Sequence, residues 1–433
     1  MTAMGTDLGR EATGDQRAVR FYPPAYDIRV ETVSMPVIVD PDDAVIKVTL
    51  AGLCGSDLHA YRGHEEVDVV RTCGHEFIGE VVALGSSFNP NASERPLLYS
   101  TLKIGDRVVS PFTVSCGECH FCRLGFSSRC VFSALFGTPD LPGGQAQFVR
   151  VPKAGGTLFK VENITSVLHS GLSDSSLLLL ADILPTGVFA ALQALQHPKI
   201  TSLLCGKQYP HHGFVPRYVQ LETTPNLSFD DRNFTFAVVG LGPVGICALV
   251  SLLDMLGDVP AINYRVVAID PVASRREKVK SVLAVLTPIA TPPRAVVADI
   301  EEGKQLVKDW TDDVGCNAVL EVVGNNSALL LAYEIVRPFG VISSVGVHQA
   351  PPVPFTGRDV YKKNVSFDFG RCPVRAMLPI AAALLLKRQD VFGGVGEPAS
   401  LIDRIASFND AVAIYEVFDK GGCGKILFDP WKN

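Results

Sequence analysis

No hydrophobic run in this sequence is long. The most apolar stretches, Leu177–Leu180 and Ala376–Leu386 with Pro379 inside it, fall well short of the roughly 18 residues a membrane span needs. Positive charge is not in excess either. The 39 Lys and Arg stand against 45 Asp and Glu, for a net charge of −6, which argues against a nucleic-acid or anionic-membrane partner. No apolar signal core opens the chain. Met1 to Gln16 is polar and rich in Gly, Thr and Asp, so a frayed terminus is expected there. Asn-x-Ser/Thr triplets at Asn163 and Asn233 are read as chance without a secretion signal. Internal repeats and low-complexity tracts are absent, which sets repeat architectures aside. What remains is the composition of an ordinary globular protein, 47% hydrophobic and 19% charged over 433 residues, enough for two or more domains.

Chemistry-bearing residues concentrate in a few places. Cys54-Gly55-Ser56-Asp57-Leu58-His59 and Gly74-His75-Glu76 offer a thiolate, an imidazole and a carboxylate, the ligand types of Zn²⁺. Asp182 stands in a very apolar run. A bare carboxylate there is costly to bury unless it coordinates a metal or is otherwise paired, so it is a candidate additional ligand. Eleven cysteines are present, four of them (Cys116, Cys119, Cys122, Cys130) in one tight cluster. Such a cluster can close a Cys₄ structural zinc site in a reducing, cytoplasmic compartment; free or disulfide-linked cysteines are the alternative. His120 inside the cluster is expected to be a surface residue. The His211-His212 pair is read as an exposed loop pair, with metal binding as the alternative.

The elements follow from periodicity and punctuation. Ala44–Leu53 and Phe77–Leu84 read as strands, and Gly105 to Val109 opens a third. Between the last two, Gly85 to Lys103 is polar and Pro/Asn/Ser-rich, which predicts a surface loop. His197 to Asn233 has no clear periodicity, with a short strand possible at Phe214–Glu222. From Thr235 onward, apolar strands alternate with helices, indicating a doubly wound parallel sheet. The first strand runs into Gly240-Leu241-Gly242-Pro243-Val244-Gly245, and the next, Tyr264–Asp270, ends in an acid. A glycine-rich turn between strand and helix, followed by that acid, is a dinucleotide fingerprint. Asp270 would hold the adenosine ribose hydroxyls and favour NAD over NADP, while Arg275 and Arg276 could attract a phosphate. Asn364–Gly370 is a candidate final strand, Pro373–Leu386 and Asn409–Phe418 read as helices, and Lys425–Phe428 as a closing strand.

The stretches CGSDLHAYRG, GHEFIGEVVALG, GDRVVSPF, CGECHFCRLGFSSRC, DILPTG, VVGLGPVG and LIDRIASFNDAVAIYEVFD together resemble the zinc-containing alcohol dehydrogenases of the medium-chain dehydrogenase/reductase superfamily. Within it, the bacterial-type alcohol, polyol and formaldehyde dehydrogenases are the more similar. The resemblance implies an α/β protein with a mostly-β GroES-like catalytic domain, expected over 20–184 and 352–433, split around a Rossmann NAD-binding domain at 185–351. It implies two zinc ions per chain and NAD, with a small-molecule alcohol or carbonyl substrate and a homodimer or homotetramer. Carried over by motif, Cys54, His75 and Asp182 are catalytic zinc ligands and Glu76 is a ligand that exchanges with substrate or water. Ser56 begins a proton relay ending near His59, and Asp57 fixes a ligand's orientation. Thr186 and Val244 pack on the nicotinamide. Cys116, Cys119, Cys122 and Cys130 match the structural zinc lobe.

The sequence departs from the family pattern at the long Gly85–Lys103 and His197–Asn233 segments. It has Asp403-Arg404 where a Thr-His pair is usual, and Cys73, expected to be a buried small hydrophobe, two residues before His75. The resemblance implies oxidation of a primary or secondary alcohol or polyol with hydride transfer to NAD. Two alternatives remain: an NAD(P)H-dependent reductase of a carbonyl or activated alkene in secondary metabolism, and a catalytically silent member of the fold.

Overall fold

The computed structural model describes residues 14–433 except 66, 90–91, 93–98, 100, 167–170, 211–226, 229, 261, 287–293 and 350–351. The His211-His212 pair and the Phe214–Glu222 strand lie outside the described residues. The chain divides into two compact units, one of residues up to Pro185 plus Pro373–Asn433, the other Thr186–Cys372.

In the first unit, β1 (Asp15–Tyr22) and β2 (Asp27–Ser34) form an antiparallel pair. Order therefore begins earlier than the frayed Met1–Gln16 expected from composition. Gln16 is buried, its Oε1 accepting from Phe148 N at 2.6 Å, and this contact fixes a segment that looks polar in sequence. β3 (Ala44–Leu53), β4 (Arg71–Thr72), β5 (Phe77–Leu84), β6 (Arg107–Ser110), β7 (Phe148–Val151) and β8 (Phe159–Lys160) follow. β3 alternates little because both of its faces are covered: only Lys47 is exposed. The Gly85–Lys103 segment departs from the surface-loop expectation. Its Phe88, Tyr99 and Leu102 are buried in the same core as Ile46, Phe77, Val108 and Phe136, at about 1.5–3 kcal/mol per side chain.

The second unit carries β9 (Asn233–Val239), β10 (Asn263–Ile269), β11 (Ala295–Ala298), β12 (Cys316–Glu321), β13 (Val336–Ser344) and β14 (Ser366–Phe369). They form one sheet in the order β11-β10-β9-β12-β13-β14, parallel throughout. The order reverses between β9 and β12, the switch point where such sheets open a crevice at their carboxyl ends. Because β14 extends this sheet, the unit reaches Cys372 rather than stopping at 351. Helix Pro198–Leu204, capped by the His197 ring accepting from Lys199 N, occupies the start of the segment that lacked periodicity.

The chain returns to the first unit with helix Val374–Lys387, β15 (Ile402–Ser407) and β16 (Lys425–Asp429). β16 pairs antiparallel with the end of β3, which places the C-terminal strand against the turn that carries Cys54. Asp403 accepts from Gly424 N, so this departure from the family pattern ties β15 to the turn before β16. Among the described residues no single helix is long and apolar enough to cross a membrane.

Candidate functional site

The first site is built where strands end. β3 ends at Leu53, and Cys54 lies on the turn that enters the short helix Asp57–Tyr61. His75 and Glu76 immediately precede β5. Asp182 sits at the break between the turn Leu179–Ala181 and helix Ile183–Gln196, with φ −150° and ψ −72°. Gly52 leaves room for Glu76: a Cβ there would lie 2.4 Å from Glu76 Oε2.

These pieces converge. One ligand atom from each of Cys54, His75, Glu76 and Asp182 lies within 4.8 Å of the others, and all four residues are buried. His75 Nε2 is 3.2 Å from Asp182 Oδ2 and 3.9 Å from Glu76 Oε1, and Cys54 Sγ is 3.8 Å from Asp182 Oδ2. Burial, then Glu76, push the Cys54 thiol above its ordinary pKa. Burial raises the Glu76 carboxyl, with Lys425 opposing and Asp182 adding to the rise. Three anionic donors crowded into one buried space fit a divalent cation, which would reverse these shifts.

The surroundings hold the donors in place. Asp57 Oδ2 accepts from Cys54 N at 3.0 Å, and Asp57 Oδ1 stands 3.6 Å from His75 Nδ1. One carboxylate thereby orients both the thiol's turn and the imidazole, leaving His75 Nε2 toward the cluster. Burial disfavours a charged His75, but Asp57, together with Asp182 and Cys54, outweighs it and holds the pKa well above the usual value. Ser56 Oγ is 4.0 Å from Cys54 Sγ. Between Ser56 and His59 the hydrogen bond is of the backbone, His59 N to Ser56 O at 3.2 Å; none joins the hydroxyl to the ring. Burial lowers the His59 pKa.

Sequence reasoning missed Lys425. Its ammonium and the Glu76 carboxylate are both fully buried, with Nζ 2.6 Å from Oε1 and 2.5 Å from Oε2, and Nζ also donates to Leu53 O at 3.1 Å. Burial works against its charge, but Glu76 outweighs burial and raises the Lys425 pKa. The only sequence signal was a lysine in the apolar strand of β16.

The four sulfurs of Cys116, Cys119, Cys122 and Cys130 likewise lie within 4.8 Å of one another, and none is in a disulfide. Backbone N–H groups aim at them: Cys116 N at Cys130 Sγ (3.2 Å), Cys119 N at Cys116 Sγ (3.3 Å), Phe132 N at Cys130 Sγ (3.4 Å). Such donors favour thiolates. Burial opposes ionisation of Cys119, yet backbone donors with Cys122 first among them bring it down to about 6. His120 is exposed, as expected, and Cys73 is buried.

In the second unit the fingerprint glycines have separable roles. Gly240 has φ +97° and its missing Cβ would meet Val323 at 2.5 Å; a Cβ on Gly245 would lie 1.9 Å from Gly240 O; one on Gly242 would meet nothing within 4 Å. Pro243 opens helix Pro243–Gly257, with Val244 next. Asp270 is only 1% exposed. Its Oδ2 accepts from Leu241 N and its Oδ1 from Val272 N, both at 2.8 Å. Arg275 Nη1 lies 3.5 Å from Asp270 Oδ2, while Arg276 donates to the backbone oxygens of Asp270 and Pro271. Thr186 is buried on helix Ile183–Gln196.

Two family models match the chain: an alcohol dehydrogenase GroES-like domain over residues 40–163 and a zinc-binding dehydrogenase over residues 243–372. A zinc-type alcohol dehydrogenase B of Aspergillus flavus is 37% identical over 412 residues, covering 95% of this chain and 81% of that protein. A medium chain reductase/dehydrogenase of Acremonium sp. is 39% identical over 352 residues, covering 80% of this chain and 99% of that protein. Among solved structures, an alcohol dehydrogenase from Thermus sp. superposes with a TM-score of 0.70 at 28% identity, covering 95% of this chain and 99% of that one.

Proposed function

Since the chain belongs to the zinc-type alcohol dehydrogenases of the medium-chain dehydrogenase/reductase superfamily, we propose that it oxidises a primary or secondary alcohol to the carbonyl compound. Hydride passes to NAD⁺ and a proton is released. The reading is supported above all by the buried convergence of Cys54, His75, Glu76 and Asp182. Cys54, His75 and Asp182 would hold zinc there, and the ion would supply a Lewis acid for the substrate oxygen. The Cys54 thiolate and Asp182 carboxylate balance a dication, and Lys425 balances Glu76, so Glu76 can remain beside the substrate position without leaving an unpaired charge. Asp57 keeps His75 in the orientation that presents Nε2. Ser56 takes the alcohol's proton, and motif position makes His59 the end of the relay; burial lowers the His59 pKa, so the imidazole hands a proton on to water rather than holding it. Gly240, Gly242, Pro243, Val244 and Gly245 would cradle the dinucleotide's pyrophosphate and nicotinamide half, Asp270 and Arg275 would hold its ribose, and Thr186 would pack on the nicotinamide. The Cys₄ cluster holds the second zinc.

NADH formation at 340 nm with primary, secondary, polyol and aromatic alcohols tests the reading, alongside NADP. Turnover with NAD is expected and should vanish in Cys54→Ala, which still binds NAD. Near wild-type turnover in that variant sinks the metal assignment. The reductive direction is the second reading, favoured by the reductase/dehydrogenase of Acremonium sp. at 39% identity. NADH consumption with carbonyls and activated alkenes, without alcohol oxidation, would select it.

A further inference from the structure

A second cavity lies in the coenzyme unit, of about 410 Å³, where β9, β10 and β12 begin. The fingerprint glycines and Asp270 are at the other ends of these strands. Seven residues of strand separate the two edges by roughly 20 Å, so this cavity is not the dinucleotide crevice.

Two of its lining side chains keep donors that no described residue accepts. Asn317 is 4% exposed, and its Oδ1 accepts from Thr235 N at 2.9 Å. Its Nδ2 has no partner among the described residues. Arg337 donates from Nε to Pro338 O at 3.4 Å and forms no ion pair among the described residues. Burial lowers its pKa, with no acid opposing the shift. Among the described lining residues Asp312 carries the one carboxylate; it is exposed and pairs with no arginine there. The walls are flat: the Arg265 guanidinium lies 5.6 Å over the Trp310 ring, and Tyr264 lines the same space.

A half-buried cation without a counter-ion is costly, and a planar guanidinium fork matches a carboxylate with two parallel hydrogen bonds. A flat ring suits an aromatic wall carrying an arginine. The volume is within the range of small-molecule sites, and a few convergent polar groups among aromatic walls are their usual lining. We propose that this cavity binds a small aromatic carboxylate, with its carboxylate on Arg337 and Asn317 Nδ2 and its ring along Trp310. The site is independent of the dehydrogenase chemistry and would make the coenzyme unit a receptor for a second molecule.

Calorimetric titration of the zinc-loaded full chain with benzoate tests it, with benzamide as the neutral isostere. One benzoate per chain is expected, with little or no binding of benzamide. Saturating NAD should leave the affinity unchanged, and Arg337→Met should weaken it about tenfold or more. A tryptophan-fluorescence change should persist in Trp431→Phe and disappear in Trp310→Phe. Absence of benzoate binding overturns the proposal, as does equal binding of benzamide, a comparison that needs no variant. Displacement by NAD would place the ligand in the coenzyme crevice. Binding unaffected by Arg337→Met but lost in Cys54→Ala would place it at the metal centre. Either outcome overturns the proposal.

Discussion

At the scale of single residues, Lys425 and Glu76 pair across 349 positions of the chain. Both are fully buried, so each neutralises a charge that water cannot reach. Removing one partner of such a pair leaves the other unpaired, at about 3–5 kcal/mol. Lys425→Met should therefore lower the stability of the metal-free protein by about that much, measured by denaturant unfolding. Adding Glu76→Gln should recover most of the loss. If Lys425→Met alone costs nothing, the pair does not form. The convergence of Cys54, His75, Glu76 and Asp182 was legible because Cys, His and a carboxylate in an apolar run have few other reasons to sit where they do. Lys425 was not legible. A lysine opening a strand is ordinary on a surface, and only the pairing of β16 with β3 turns it inward. Ser56 and His59 were legible by motif position, yet the ring and hydroxyl are joined by no hydrogen bond of their own.

Among the elements, the turn from β9 into helix Pro243–Gly257 separates binding from folding. Gly242 faces open space, while a Cβ on Gly245 would collide with Gly240 O. Gly242→Ala should leave the melting temperature nearly unchanged and weaken NAD binding, because only the pyrophosphate needs that space. Gly245→Ala should lower the melting temperature whether or not NAD is present. Equal loss of NAD affinity and stability in both would refute the division. A smaller device caps helix Gly357–Lys363, where Thr356 and Asp359 form a reciprocal capping box. The Thr356 side-chain bond, then its backbone N–H, lowers the Asp359 pKa. A depressed carboxyl stabilises above its unfolded pKa, about 3.9, and that contribution is lost as pH falls through the lower folded value. Asp359→Asn should melt below wild type at neutral pH, with the gap closing below about pH 4. A gap independent of pH would remove the ionised cap. Strands such as Ala44–Leu53 and Phe77–Leu84 could be read to their ends because apolar runs meet glycine. Phe88, Tyr99 and Leu102 could not, since three anchors without a period in a polar stretch look like loop until the core claims them.

For the whole molecule, metal content and stability should separate by site. The first cluster joins donors from the turn after β3, the residues before β5 and the break before helix Ile183–Gln196, and other contacts already position them, including Asp57 and Lys425. The Cys₄ lobe has less to hold it: between Cys116 and Cys130 the longest regular element is the four-residue helix His120–Arg123. A segment with so little regular structure is expected to need a bound ion for order. The coenzyme unit was visible from its alternating apolar strands and helices. The split of the other unit came from the family resemblance alone, because pairing across hundreds of residues leaves no local pattern. Wild type should hold two zincs per chain by mass spectrometry under native conditions. Cys54→Ala should hold one, lose turnover and keep NAD binding, with little change in melting temperature. Cys119→Ser should also hold one, but with a lowered melting temperature and faster proteolysis between Cys116 and Cys130. Two zincs retained in Cys54→Ala would break the link between that thiol and the metal. A Cys119→Ser protein as stable and protease-resistant as wild type would mean that hydrogen bonds and packing, rather than an ion, order the lobe.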